Sequence, residues 1–149
     1  SGLKAYKAAV ARTKVNSAIT GGAKQRSADP MVLLSDDASI KTTYDAFLHG
    51  LVSSCGLNDK DDGVLTIPKA LKKLLRILEK TMLVPEGPAR GDVSKVCDVI
   101  RGMITVGTLQ EVAAIVKALN ACGEIIIVRV KDRFDECPSP GGWRDLMVR

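Results

Sequence analysis

The sequence predicts an α+β protein, in which a helical N-terminal half precedes a small mixed β-sheet with covering helices. In residues 3–19 and 35–54, on either side of a polar linker at residues 21–30, apolar side chains recur mainly every three or four positions, which is the spacing of amphipathic helices. The C-terminal half instead contains apolar runs of strand length at residues 96–106, 124–130 and 143–149, with one helical segment between the first two. This order differs from the regular strand–helix alternation of a parallel sheet, and it therefore favours the α+β class.

Length and composition are those of a folded domain with a mild preference for anionic partners. The 149 residues are 46% hydrophobic, which is enough for a core. The net charge of +5 favours polyanions such as nucleotides or nucleic acid, though only mildly. The four cysteines include no C-x-x-C pair, so we expect reduced thiols in a cytoplasmic compartment and no zinc site. No apolar run approaches the roughly 18 residues of a membrane span, so we expect no membrane association.

Three helices are predicted before the first strand. Residues 3–19 form a basic amphipathic helix, and Ser35 followed by two acids predicts the start of a second helix that continues to about Ser54. Pro68 begins a third helix over residues 69–83, which carries the densest group of cations in the chain. Its polar face, including Lys72, Lys73 and Arg76, is either a phosphate-contacting wall or an ordinary solvated surface.

The C-terminal half is predicted as strand, helix, strand, strand. The apolar run 96–106 is the first strand, interrupted by Asp98 and Arg101. Thr108 and Glu111 have the spacing of a capping box, which predicts a helix from there to about Asn120. Residues 124–130 and 143–149 are the remaining strands, joined by a turn rich in Pro and Gly.

Two groups of residues are candidates for chemistry. A carboxylate such as Asp98 in an apolar strand is costly unless it binds a cation such as Mg²⁺ or pairs with a base such as Arg101, and both alternatives stay open. Arg129, Lys131 and Arg133 alternate and so share one side of an extended segment, which either grips phosphates or is a solvated edge strand.

In their order along the chain, these motifs resemble the RelA/SpoT synthetase family. That family has an Arg-x-Lys-Asp segment, a Pro-containing loop and a Gly-Tyr-x-Ser/Asp strand, preceded by a strand that opens with a catalytic Asp. Here the corresponding residues are Arg129 to Asp132, Gly142 to Asp145 and, about thirty residues upstream, Asp98. The resemblance covers residues 68–149 and leaves residues 1–67 as a helical N-terminal extension, with the whole expected to form one compact domain.

The resemblance implies a nucleotidyltransferase-like fold and the transfer of pyrophosphate from ATP to a guanine nucleotide, with Mg²⁺. Asp98 would be the catalytic residue that holds the metal, Arg129 and Lys131 would contact ATP phosphates, and Trp143 would stack on the acceptor base. The rest of the expected nucleotide-binding set is Lys72, Lys73, Arg76, Arg133 and Asp145.

The chain also departs from the family pattern. Met103 stands where the family has an Arg, and Met147 stands where the synthetases have a His. The family's second carboxylate would follow Arg149, so we expect this chain to be a fragment that lacks one acidic metal ligand. The alternative is therefore a non-catalytic basic domain that binds RNA, nucleotide or a protein partner, and an interaction domain without a ligand is a third possibility. The sequence leaves the oligomeric state open.

Overall fold

The computed structural model describes residues 1–19, 23–61, 63–83, 89–136 and 138–149, and these residues confirm the α+β class. The regular elements, in chain order, are α1 (Gly2–Ile19), α2 (Pro30–Ser54), β1 (Leu65–Thr66), α3 (Leu74–Leu78), a π-helical turn (Glu79–Leu83), a 3-10 turn (Val93–Lys95), β2 (Met103–Ile104), α4 (Leu109–Ala121), β3 (Val130–Asp132) and β4 (Leu146–Val148).

The chain divides into two compact units, one formed by residues 1–23 with 106–149 and the other by residues 24–105. Among the described residues, the strands pair as two separate antiparallel two-stranded sheets rather than as the single mixed sheet that the sequence predicts. These sheets are β3 with β4 in the first unit and β1 with β2 in the second. The predicted boundary between residues 67 and 68 marks where the family resemblance begins, and it stays a prediction.

The first unit is built on helix α1 packed against helix α4. The capping box predicted at the start of α4 is confirmed, since Thr108 Oγ1 accepts from the Glu111 backbone and Glu111 accepts from the Thr108 backbone. The buried face of α1 differs in part from the predicted apolar stripe. Tyr6 and Val10 are buried, but small and polar residues complete the face because α4 packs close to it. At this contact Asn120 Nδ2 donates to Thr13 Oγ1 at 2.6 Å.

The β3–β4 hairpin is anchored to α1 through Tyr6. The fully buried Tyr6 hydroxyl donates to Asp132 Oδ1 at 2.7 Å, and the Tyr6 ring meets Phe134 edge to face at 5.6 Å. The same carboxylate oxygen accepts from the backbone nitrogens of Phe134 and Asp135. Because Asp132 is itself buried and has these donors, it fixes the turn that follows β3.

In the second unit, α2 begins earlier than the sequence analysis predicts. Asp29 is the N-cap, with its carboxylate accepting from the backbone of Met31, and Pro30 takes the first helical position. This is the favourable use of a proline at a helix start, and it places Ser35 inside the helix. The second unit has its own buried cluster, formed by Leu33, Ile77, Ala89, Val93, Val96 and Val99.

The basic helix predicted over residues 69–83 is only partly helical. Residues 69–73 precede α3, which is followed by the π-helical turn. The reason is tertiary, because the Lys72 backbone nitrogen donates to the Val99 carbonyl at 2.9 Å and its side chain reaches Asp98. These contacts draw residues 69–73 along the segment at 98–99 and override their helical preference.

The predicted strands are present but short. Of residues 96–106, Met103 and Ile104 pair with β1 as β2, and the Thr105 nitrogen donates to the Val64 carbonyl at 2.9 Å beside this pairing. Val99, earlier in the run, accepts from the Lys72 nitrogen instead. The hairpin pairing extends one step beyond β3 and β4, because Arg129 and Arg149 exchange backbone hydrogen bonds at 3.0 and 2.9 Å. Residues 124–127 are not strand.

Within the part of the chain that the structure describes, no helix is both long and apolar enough to cross a bilayer. Cys55 and Cys122 are free thiols, and the Cys97 thiol donates to the Lys95 carbonyl at 3.6 Å. Cys137 lies outside the described residues.

Candidate functional site

The residues that the sequence analysis selected belong to different units. Asp98, Lys72, Lys73 and Arg76 lie in the unit formed by residues 24–105. The others, Arg129, Lys131, Arg133, Trp143 and Asp145, lie in the unit that contains the hairpin.

Asp98 is held by two lysines. Its Oδ2 atom lies 2.5 Å from Lys72 Nζ and 2.5 Å from Lys80 Nζ. Lys72 is only 7% exposed. Burial, opposed by the Asp98 carboxylate and assisted by Lys80, lowers the pKa of its amine to about 8. Asp98 therefore pairs with bases, which is one of the two predicted alternatives, and these bases are Lys72 and Lys80 on a neighbouring segment.

The group around Asp98 does not fit Mg²⁺. Magnesium takes oxygen ligands, typically carboxylates together with water and phosphate. Here one carboxylate oxygen already faces two ammonium groups, so a divalent ion there would have to displace them against their repulsion. Among the described residues, no group of three or more His, Cys, Asp or Glu side chains could hold a metal ion.

The other two cations of this unit that were predicted to contact phosphate, Lys73 and Arg76, differ in whether they are already paired. Arg76 Nη1 donates to Glu79 Oε2 at 2.5 Å, and Lys73 is exposed just before α3. Because Lys72 is buried against Asp98, the predicted row of phosphate-contacting cations is not continuous here. The exposed basic residues of this unit are therefore a weaker candidate for a phosphate-binding site than the residues of the hairpin.

The hairpin has one apolar face and one polar face. Val130 and Leu146 pack against the core of α1 and α4, and Asp132 points to Tyr6 on the same side. Successive residues of a strand alternate between faces, and directly opposite residues share a face. The opposite face therefore carries Arg129, Lys131 and Arg133 from one strand, with Asp145, Met147 and Arg149 from the other. We call this set the hairpin face.

Arg133 and Asp145 form a two-point ion pair on the hairpin face. Arg133 Nε and Nη2 donate to the two Asp145 carboxylate oxygens, each at 2.5 Å. Arg133 lowers the pKa of the Asp145 carboxyl, burial opposes this shift, and the Trp143 indole lowers it further. Arg133 is therefore engaged with a carboxylate, whereas Arg129 and Lys131 are exposed.

Trp143 is an exposed aromatic residue with a fixed position. Its side chain is among the exposed large hydrophobic groups, at 59%, yet its indole Nε1 donates to Asp145 Oδ2 at 2.9 Å. Its backbone nitrogen donates to Ser139 Oγ at 2.8 Å, and Ser139 Oγ donates in return to the Trp143 carbonyl. The ring is thus held at both its backbone and its polar edge, while much of its surface faces solvent.

Sequence reasoning missed the role of Ser139. The signal was present, since Ser, Pro and Gly at successive turn positions favour a β-turn in which Ser comes first. The Gly142 nitrogen donates to the Ser139 carbonyl at 2.9 Å, and Gly142 has a φ of +75°, which favours glycine. This turn brings the Ser139 hydroxyl to the Trp143 backbone.

Comparison of the chain with protein-family models, with curated proteins and with solved structures found no match. We therefore infer the function of the chain from the geometry of the described residues. An exposed and fixed aromatic ring beside two exposed cations is suited to a ligand that has both a flat ring and negative charge.

Proposed function

We propose that this chain is a non-catalytic nucleotide-binding domain. In this proposal a base stacks on Trp143, and phosphates contact Arg129 and Lys131 on the hairpin face. The observation that carries the proposal is the fixed position of an otherwise exposed Trp143, held by Asp145 and Ser139. An exposed indole is costly to keep in water, and a ring that is already ordered loses little entropy when a base stacks on it.

Two physical terms support binding at this face. Base–aromatic stacking contributes about 1–3 kcal/mol per base and is tolerant of base identity. Arg129 supplies a planar fork for phosphate oxygens, and Lys131 supplies a point charge two residues along the strand. Because Arg133 is paired with Asp145, we assign it to positioning Trp143 rather than to binding phosphate.

The proposal omits pyrophosphate transfer. That reaction is implied by the RelA/SpoT resemblance, it depends on Mg²⁺, and it stays a prediction from sequence. The two lysines on Asp98 Oδ2 weigh against it in this chain, since they occupy the side chain that would hold the metal. We therefore expect nucleotide binding to be independent of Mg²⁺ and a mixture of ATP and GDP to give no transfer product.

Trp143 is the single tryptophan of the chain, so its fluorescence tests the proposal directly. Titration with ATP, GTP and GDP is expected to give saturable quenching that Arg129→Ala weakens. Lys117→Ala is the matched control, because Lys117 is an exposed cation on α4 of the same unit. Absence of any saturable change at millimolar nucleotide, or an equal loss in the Lys117 variant, would contradict the proposal.

A further inference from the structure

We infer that the natural ligand of the hairpin face is a single-stranded nucleic acid several nucleotides long, rather than a mononucleotide. This inference rests on the proposed stacking role of Trp143 and deepens it by naming the class of ligand. Three observations carry it: the length of the face, its openness and the chemistry of a cavity on the other side of the hairpin.

The hairpin face is long for a single nucleotide. Backbone pairing continues from Arg149 opposite Arg129 to Asp145 opposite Arg133, which is four steps along the strand. At about 3.4 Å per residue this ladder spans about 14 Å, with Trp143 beyond its end. A stacked strand advances about 3.4 Å per nucleotide, so the same length corresponds to about four nucleotides.

Cations are distributed along this length instead of converging on one point. Arg129 and Lys131 lie two residues apart on one strand, about 7 Å by strand geometry. Arg149 lies on the other strand opposite Arg129 with its Nε atom buried, so Arg129 and Lys131 are the exposed cations along this length. A row of positive charge that tracks a backbone, with an aromatic ring for a base, is the usual arrangement for binding single strands.

The hairpin face is also open. Mononucleotide sites are concave and bury most of the ligand, whereas Trp143, Arg129 and Lys131 are all exposed. A base on Trp143 would have a protein surface on one side only. In a strand, the neighbouring base covers the other side.

The cavity of about 350 Å³ in the same unit does not offer an alternative phosphate site. It lies on the α1 side of the hairpin, where Asp132 points, and Asp135 and Glu136 add two further acids to its lining. Its two lysines, Lys7 and Lys14, are already paired with those acids. Phosphate would be repelled there, so the hairpin face is the better surface for a polyanion.

A double strand is a poor ligand for this face. Stacking on Trp143 needs a base that is not already stacked between its neighbours in a duplex. The experiment therefore measures binding of a labelled ten-nucleotide single strand, as RNA and as DNA of the same sequence, with the RNA duplex and with GTP as competitors. We expect the single strands to bind at least ten times more tightly than the duplex or GTP.

Variants and salt make the test specific to the hairpin face. Trp143→Ala should weaken binding of the single strand by about 5- to 150-fold, the range for loss of one stacked base. The slope of log affinity against log salt should fall in magnitude by about 0.7 in Arg129→Ala, since one phosphate contact is lost. Lys117→Ala should leave both quantities unchanged, and circular dichroism checks that each variant is folded.

The outcomes separate the inference from the function on which it rests. Equal affinities for RNA and DNA support recognition of backbone and base alone, and tighter RNA binding adds the 2′-hydroxyl as a contact. If GTP quenches Trp143 as well as the single strand does, the proposed function stands and the inference fails. If the duplex competes as well as the single strand, the inference fails also. If no nucleic acid or nucleotide binds, both fail.

Discussion

The strongest prediction about how stability depends on pH concerns Asp37 on helix α2. Asp37 is only 5% exposed, and its Oδ2 atom is buried without a hydrogen-bond partner among the described residues. Burial, together with the neighbouring Asp36 carboxylate, raises the pKa of the Asp37 carboxyl from 3.8 to about 6. The folded protein therefore holds this proton more tightly than the unfolded chain does.

The sign and size of the effect follow from this difference. A raised carboxyl pKa means that the folded state is favoured at low pH and loses stability as the pH rises from about 4 through about 6. The shift of about two units, at 1.36 kcal/mol per unit, corresponds to about 3 kcal/mol in the free energy of unfolding at high pH. About 2 kcal/mol of this loss falls between pH 4.5 and 7.5 by the same linkage.

Replacement of Asp37 by Asn removes the ionisation and keeps the shape of the side chain. Urea denaturation at pH 4.5 and 7.5 then measures the free energy of unfolding of both proteins. The free energy of unfolding of the parent chain should fall by about 2 kcal/mol more than that of Asp37→Asn when the pH is raised from 4.5 to 7.5. Asp61→Asn is the control, because it makes the same substitution at an exposed carboxyl. Parallel pH profiles for the parent and Asp37→Asn would refute the reasoning.

Three further predictions concern the first unit. Tyr6→Phe should lower the free energy of unfolding by about 1–3 kcal/mol in urea denaturation, because it leaves the buried Asp132 oxygen without its hydroxyl donor; a loss below about 0.5 kcal/mol would be inconsistent with this bond. Thr108→Ala should cost about 1 kcal/mol in the same assay through loss of the α4 capping box, and an unchanged midpoint would contradict it. Asp145→Asn should lower the steady-state fluorescence anisotropy of Trp143 with the fold intact, since the indole loses its charged acceptor; equal anisotropy would show that Asp145 does not fix the ring.

Local signals in the sequence were sufficient for several elements. The pairing of Thr108 with Glu111 depends on residues three positions apart, and the predicted helix start is where the structure has it. The alternation of Arg129, Lys131 and Arg133 similarly needs only strand geometry, so their shared side could be predicted before any partner strand was known. Such predictions succeed because the interactions that decide them lie within one element.

Residues 69–73 show where this reasoning fails. Their composition favours a helix, and nothing within the segment contradicts one. The deciding contacts are with Asp98 and Val99, about 27 residues further along the chain. A single sequence does not reveal that Lys72 will be buried against a carboxylate, because that depends on how two distant segments meet.

The hairpin face combines both cases. Its alternation was predictable, but the function of each cation depends on the register of the opposite strand, which places Asp145 beside Arg133. A shift of the register by two residues would place Met147 there and leave Arg133 available to phosphate. Trp143 would then lose the ion-paired carboxylate that holds its indole. The register therefore decides which of the three alternating cations pairs with Asp145. Arg133 forms this pair and so helps to position the Trp143 ring, whereas Arg129 and Lys131 stay exposed, where we propose that they bind an anionic ligand.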